Sequence, residues 1–463
     1  MLNEAVMPLV RCSRDFRVVL ALVAASAVLR GLAWVAALPA WQGPDEPAHY
    51  AYVERLADGG FPPLQRGRAA DSPALAASLA ATASEEFRLG APARPLSQGL
   101  REALPHEPSG LSTVGHAARG ATGYPPAYYA LAVPLYALPG LETATARLFA
   151  VRVVSALAVG ALVVLTALFV RELTGRDGLA LAAGALVSLP PLVGQASGIA
   201  NPDMLLAAGV AGLAWSGFRL ARMPGNGGAR LHAASWFALV ALTKPVGIGL
   251  AGVTLLACLA AARPHLRRRA VLALAGAVGL ALAAGAATAA ASHETRSTLA
   301  FSARYLWDFY RPGVLDPGAV RPSRAWEVWV ESGVGGFGWL SVWLQPSAYR
   351  LALATVALAL AVIVVGVVRD RRALPVVAAF AAAVAVYVLG LHAVELHELL
   401  EQEPPLLQGR YLIPVAPLAV GALAVAAAAL PRRALLGAMT VICLAWSLLA
   451  ALALDAVVAY FAS

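Results

Sequence analysis

Eleven apolar stretches, most near the length of a bilayer crossing, run through this chain, with clusters of arginine between them. A helix needs about 20 apolar residues to cross the hydrocarbon core. Within that core a helix survives because it satisfies its own backbone polar groups. The stretches lie at about 18–40, 148–170, 178–198, 202–220, 231–246, 247–262, 270–291, 350–368, 373–392, 411–430 and 434–458. They predict an all-α polytopic membrane protein. Only 13% of the residues are charged, against about 25% in soluble domains. A soluble helical array would carry polar faces that these runs mostly lack. The pair at 231–262 is short for two crossings and is kept as two because both flanking loops are basic.

Arginine placement orients the chain, since cytoplasmic loops carry the excess of basic residues. Arg11/Arg14/Arg17, Arg171/Arg176, Arg219/Arg222/Arg230, Arg263/Arg267/Arg268/Arg269, Arg369/Arg371/Arg372 and Arg432/Arg433 fall on one side, and the loops at 41–123, 199–203, 292–348 and 393–410 on the other. The stretch Tyr124–Leu138 is about 15 residues long. A crossing there would invert every later loop, so 124–140 is read as an interfacial or re-entrant helix. The whole chain, 1–463, is one transmembrane domain with large outer loops at 41–123 and 292–348. The first span is too long for a cleaved leader and is read as an uncleaved helix. The net charge of +9 sits at helix ends and not on one continuous face, which excludes nucleic acid as a partner. Cys12, Cys258 and Cys443 are scattered, so no disulfide framework or zinc site is expected. No internal repeat supports an inverted-repeat transporter.

Against this apolar background a few polar residues stand out. Pro44-Asp45-Glu46-Pro47-Ala48-His49-Tyr50 follows the first span. Its prolines suit a first helical turn. A helix over about 45–58 would place Tyr50, Val53 and Leu56/Ala57 on one face able to rest on the membrane. Asp45 and Glu46 fit either chemistry or an ordinary acidic helix start, and His49 is a partner, a ligand or a surface residue. Asn201-Pro202-Asp203 marks the mouth of a later span, as a site or a helix cap. Lys244, the one lysine among 35 basic residues, stands in an apolar run; such a charge is functional or snorkels to the interface. Arg30 poses the same question. Gln408-Gly409-Arg410-Tyr411 opens another span, where the Arg410 fork could clamp a phosphate or anchor the interface. His392, Glu395, His397, Glu398 and Glu401 have metal-ligand spacings but more often form a solvated face. Five of ten tryptophans, Trp307, Trp326, Trp329, Trp339 and Trp343, lie in the second loop, as an interfacial belt or a sugar-stacking surface. Together, the acids and bases would converge at the depth of a lipid phosphate headgroup.

These motifs, in this order over about residues 18–460, resemble the GT-C superfamily of membrane glycosyltransferases, in particular a bacterial branch of predicted membrane proteins of unknown function. The resemblance rests on Pro44 to Tyr50, Asn201 to Asp203, Lys244-Pro245, Gly336-Phe337-Gly338-Trp339 and Gln408 to Tyr411. Tyr124-Pro125-Pro126-Ala127-Tyr128-Tyr129 is similar to a helix of mannosyl- and aminoarabinosyl-transferases. Relatives often carry a second acid in the first loop, for which Glu85, Glu86, Glu102 and Glu107 are candidates.

The resemblance implies a GT-C-like fold of about 11 transmembrane helices in a bacterial cytoplasmic membrane, with its site facing outward. It implies a polyprenyl-phosphate sugar donor and a glycan or protein acceptor. Nucleotide sugars are not supplied on that face, which agrees. Asp45 is expected as general base, with Glu46 as its catalytic companion. Lys244, Arg410, Tyr411 and Gln408 would bind the donor phosphate. His49, Asn201, Asp203, Tyr128 and Trp339 would bind acceptor or substrate. Asp45 and Asp203 are the candidate ligands of a divalent cation, Mg or Mn, if one is used. The rival from another class is a transporter or flippase of a lipid-linked saccharide; a non-catalytic envelope scaffold is the third reading.

Overall fold

A computed structural model of the chain describes residues 13–60, 71–82, 121, 123–263, 304–311, 313–315, 319–321, 323–400 and 407–462. Helix α1 spans Arg14–Ala37, and the first outer loop contributes α2 (Glu46–Ala57) and α3 (Pro73–Ala81). Helices α4 (Ala127–Tyr136), α5 (Ala144–Thr174), α6 (Asp177–Ser188), α7 (Pro191–Ser197), α8 (Asp203–Arg222), α9 (Gly227–Ala241) and α10 (Gly247–Ala262) follow. After the small antiparallel pair β1 (Gly313–Leu315) and β2 (Ala319–Arg321), a π-helical turn, Trp326–Glu331, runs into a short turn at Ser332–Gly335. A second pair, β3 (Gly336–Phe337) and β4 (Val342–Trp343), precedes α11 (Pro346–Arg369) and α12 (Leu374–Leu400). A 3-10 turn, Gly409–Val415, leads into α13 (Ala416–Ala427), and α14 covers Arg432–Ala462.

Local chemistry sets many of these boundaries. Ser13 and Thr143 accept from the backbone N–H three residues on and start α1 and α5. Gly175, at φ 67°, ends α5 in the left-handed conformation that glycine adopts without strain. Pro190 and Pro191 lack the N–H groups that would continue α6, so the chain bends by 70° into α7. Arg30 lies beside this break and donates from Nη1 to Leu189 O at 3.3 Å.

Seven of the described helical segments are long and apolar enough to cross a membrane: α1, α5, α8, α11, α12, Gly409–Ala427 and α14. An eighth arises if α6 and α7 form one bent span. The expected stretch at 270–291 lies outside the described residues. The pair at 231–262 is resolved as α9 and α10, of 15 and 16 residues, with Lys244 in the turn between them. Each is shorter than the roughly 20 residues of a full crossing. Helix α4 has ten residues, about 15 Å of helix or half the hydrocarbon thickness.

Helix α8 is the centre of the bundle, packed on α5, α9, α10 and the Gly409–Val415 turn. The abundance of alanine and glycine lets backbones approach closely. A Cβ on Gly366 would sit 2.1 Å from Ala426 O, so α11 and α13 touch backbone to backbone. One end of the bundle gathers the basic loops. Arg171 pairs with Asp177, Arg222 with Glu172, and Arg263 donates to Ala221 O. Asp203 opens α8 at the other end, 19 residues from Arg222, so about 28 Å separates the two ends, close to one hydrocarbon thickness.

Candidate functional site

The site grows from the turn between α1 and α2. Trp41 and Asp45 take positive φ (67° and 62°), as does Leu340 (62°) in the β3–β4 turn. Non-glycine residues rarely adopt this conformation, and where they do it marks a functional constraint or strain held by the surroundings. The Trp339 indole donates to Trp41 O at 3.2 Å and joins the two turns.

Neither acid of the motif caps α2. Glu46 is fully buried and grips Arg152 of α5 through both oxygens, at 2.6 and 2.7 Å. It also accepts from Gly43 N (3.1 Å) and Ala200 N (3.0 Å). Arg152 spends its remaining donors on the carbonyls of Val35, Leu38 and Pro39 (3.2, 2.6 and 2.8 Å). This pair welds the end of α1, the start of α2 and α5 into one block.

Asp45 points the other way and forms an ion pair with Arg410 Nη2; Arg410 Nη1 also reaches Pro44 O at 3.4 Å. Arg410 Nε lies 4.0 Å from Asp203 Oδ2, while Lys244 pairs with Asp203 Oδ1. Two carboxylates and two cations, from four separate parts of the chain, thus alternate in one cluster. The Lys244 ammonium stands over the rings of Tyr124 (5.7 Å) and Tyr411 (5.4 Å), and the Arg410 guanidinium over Tyr411 (5.4 Å). Asp203 Oδ2 and Arg410 Nε are buried and make no hydrogen bond. The Asp45 side chain keeps 36% of its exposure, against 1% for Asp203 and 0% for Glu46. Burial by itself would raise the Asp45 carboxyl, but the neighbouring Arg410 charge outweighs it and holds the group below the usual carboxylate range.

Of the other expected site residues, Tyr411 and Gln408 join the cluster's edge. Gln408 lines a narrow crevice with Pro44, Gln195, Ser332, Leu340 and Arg410. Asn201 lies against Asp203, and its Oδ1 accepts from Asp203 N at 2.8 Å. His49 is 1% exposed and holds both ring nitrogens against neighbours. Tyr128 is set apart: fully buried, its hydroxyl meets Ser155 Oγ at 3.1 Å. The apolar face of α2 does not rest on a membrane. Tyr50 and Val53 are fully buried and Leu56 and Ala57 half-buried, because α2 packs this face on the aromatic residues of α4.

In the 392–403 run His392 and Glu395 turn inward, while His397 is exposed. His392 sits between the hydroxyls of Tyr305 (2.9 Å) and Tyr310 (2.8 Å), and Glu395 pairs with Arg324 and accepts from Leu407 N. Among the described residues no group of three or more His, Cys, Asp or Glu side chains is placed to hold a metal ion. Glu401 and the first-loop candidates Glu85, Glu86, Glu102 and Glu107 lie outside the described residues.

Several contributors escaped sequence reading. Arg152 could have been found, since an arginine inside the apolar stretch 148–170 poses the same question as Lys244. Ser332 carries no such signal; its Oγ accepts from Gly409 N at 2.8 Å and fixes the turn that presents Arg410.

A comparison with curated proteins finds no match. Among solved structures the chain is similar to the oligosaccharyltransferase of Archaeoglobus fulgidus in its apo form, at 13% identity and a TM-score of 0.43. The likeness covers 94% of this chain and 55% of that one, so this chain spans about half the archaeal protein's length. At that TM-score it fixes neither fold nor activity. The model of a family described as predicted membrane protein (DUF2142) matches residues 28–419, and the chain belongs to that family.

Proposed function

We propose that this protein is a GT-C-type glycosyltransferase that moves a sugar from a polyprenyl-phosphate donor to an envelope glycan, or to a protein, on the outer face of a bacterial cytoplasmic membrane. The observation that carries the reading is the four-charge cluster about one bilayer thickness from the basic end. In it, Asp45 is the carboxylate with an accessible side chain, and two cations stand beside it.

In this reading the donor phosphate enters between Lys244 and Arg410, with Tyr411 and Gln408 at its edge. Asp45 takes the proton of the acceptor hydroxyl. The oxygen attacks the anomeric carbon, the bond from that carbon to the phosphate oxygen breaks, and polyprenyl phosphate leaves with the electron pair. The two cations stabilise the charge that appears on it. Arg410 already holds Asp45, so an arriving phosphate competes for that guanidinium. As Arg410 turns toward phosphate, Asp45 loses the charge that depresses its basicity. Donor binding and base activation are one event. Glu46, saturated by Arg152, contributes position and not proton transfer. A divalent cation held by Asp45 and Asp203 would have these two carboxylates alone, one oxygen of each already paired with Arg410 or Lys244, and among the described residues no third His, Cys, Asp or Glu side chain stands with them, so the donor set does not fit one.

The test is release of polyprenyl phosphate from a polyprenyl-phosphate sugar by the purified protein with acceptor present. Asp45→Asn should abolish release while leaving membrane expression intact. Near-normal release in that variant removes Asp45 from the role of base. Transbilayer movement of the intact donor without release would instead favour a flippase.

A further inference from the structure

We infer that His49 is a positioning residue: a neutral imidazole, protonated on Nδ1, that ties the Asp45 turn to Asp203. The proton assignment follows from partners around it. The backbone N–H of Asp203 can only donate, and it points at Asn201 Oδ1 at 2.8 Å. That contact sets the orientation of the Asn201 amide, so its NH₂ group faces His49 Nε2 at 3.3 Å. An amide NH₂ has no acceptor capacity, so Nε2 must accept. A neutral imidazole accepting at Nε2 carries its hydrogen on Nδ1, which lies 2.9 Å from the Tyr129 hydroxyl and donates to it.

The chain Tyr129–His49–Asn201–Asp203 is buried throughout: 0%, 1%, 1% and 1% exposed. His49 stands one turn after Asp45, with its backbone N–H donating to Asp45 O at 3.1 Å. The ring lies beside Tyr124 and Tyr129, at centroid distances of 5.6 and 5.9 Å. Thus α2, which follows directly on the partly exposed Asp45 carboxylate, is linked through the imidazole and Asn201 to the first residue of α8, which carries the buried one. The charged groups that face the ring are Asp45 from its own helix, Asp203 from α8, Lys244 from the α9–α10 turn and Arg410 from the Gly409–Val415 turn. A proton on Nε2 would set N–H against N–H at Asn201 and add a third cation to a cluster already balanced at two and two. Burial drives the imidazole down to about 3, with the Asp45 charge pulling the other way.

The protonation state is read by ¹⁵N NMR of the histidine-labelled protein in lipid nanodiscs, which needs no substrate. His49 Nε2 should show the shift of a lone-pair nitrogen, unchanged from about pH 8 to about pH 5, where a free histidine titrates. In Asn201→Asp a carboxylate oxygen faces Nε2, and the His49 signals should become pH-dependent in that range. A protonated or titrating Nε2 in the natural protein, or an unaltered His49 in Asn201→Asp, overturns the assignment. The positioning role rests on the proposed transfer reaction and is read by rescue. Gln at 49 offers an acceptor at the Nε2 position, whereas Asn offers a donor at the Nδ1 position. His49→Gln should keep turnover within several-fold. His49→Asn and His49→Phe should lose roughly 100-fold in kcat, the scale set by an ångström of misplacement, with KM for the lipid donor unchanged. Full turnover in His49→Phe overturns the role. Absence of turnover in the natural protein would count against the glycosyltransferase reading, while the NMR result would still stand or fall by itself.

Discussion

Replacing Arg152 with methionine removes the side chain that joins three segments, while keeping length and apolar bulk. Arg152 and Glu46 are both 0% exposed, and the guanidinium donates to both Glu46 oxygens and to three backbone carbonyls. Breaking a buried pair by removing one partner costs about 3–5 kcal/mol. The Val35 and Leu38 carbonyls left without that donor add about 1–3 kcal/mol each before relaxation, while Pro39 O keeps the Gln42 N–H at 3.3 Å. Allowing for relaxation, about 6 kcal/mol is a fair total. Unfolding entropy of about 2.1 cal/mol/K per residue over 463 residues gives about 1 kcal/mol/K. The melting temperature should therefore fall by about 6 °C, and by more if unfolded helices stay inserted in lipid and gain less entropy. The assay is thermal unfolding of purified protein in one fixed detergent or nanodisc. The charge swap Glu46→Arg with Arg152→Glu should fail to restore stability. A carboxylate at 152 would face the lone pairs of Val35, Leu38 and Pro39 carbonyls, and a guanidinium at 46 would face the N–H groups of Gly43 and Ala200. A melting temperature for Arg152→Met within about 2 °C of the natural protein, or full rescue by the swap, would refute the welding role.

Three other outcomes are expected. Gly409→Ala should abolish transfer and destabilise by about 3 kcal/mol or more, since its Cβ would lie 2.2 Å from Gly333 Cα; Gly333→Ala, with its nearest contact at 3.7 Å, should behave normally in the same melting and release assays. Arg410→Gln should weaken binding of polyprenyl phosphate to nanodisc-embedded protein by about 10–100-fold, the loss of one charge-assisted contact; unchanged affinity would remove Arg410 from the phosphate site. Burial raises the Glu54 carboxyl to about 7, against hydrogen bonds from Ser72 and Tyr136. The folded protein thus holds that proton more tightly than the unfolded chain, so its contribution to stability is complete below about pH 4.5 and is lost as pH rises through about 7. Thermal unfolding followed from pH 5 to 8 should show the decline, and Glu54→Gln should flatten it.

Much of the fold was legible because apolar length is a one-dimensional property. The stretches around α1, α5, α8, α11, α12 and α14 needed no tertiary knowledge. The break at Pro190-Pro191 and the shortness of the 231–262 pair are also local, written in the paired prolines and in the run length; that Lys244, in the turn between α9 and α10, meets Asp203 depends on a partner that the local pattern does not carry. At the site, Asp45, Asp203, Lys244 and Arg410 stood out because charge is costly in so apolar a chain, and the structure brings those four together. Pairing was not legible. Asp45 and Glu46 look alike in sequence, yet one carboxylate is exposed beside Arg410 and the other is locked to Arg152. Hydropathy could not decide the surroundings of α2 either, since an aromatic helix neighbour and a lipid surface satisfy the same apolar face.

The turn bearing Lys244 rests on two helical arms of 15 and 16 residues, each falling roughly 6–8 Å short of a 30 Å hydrocarbon layer. In the proposed reading these arms cross the membrane, and lipid beside them would thin to meet them. The headgroup of the proposed lipid donor, diffusing along the membrane, would find a dimple at this flank, with its phosphate carried downward to the ammonium. Short arms would thereby replace a tall binding wall, and the bilayer itself would complete the entrance.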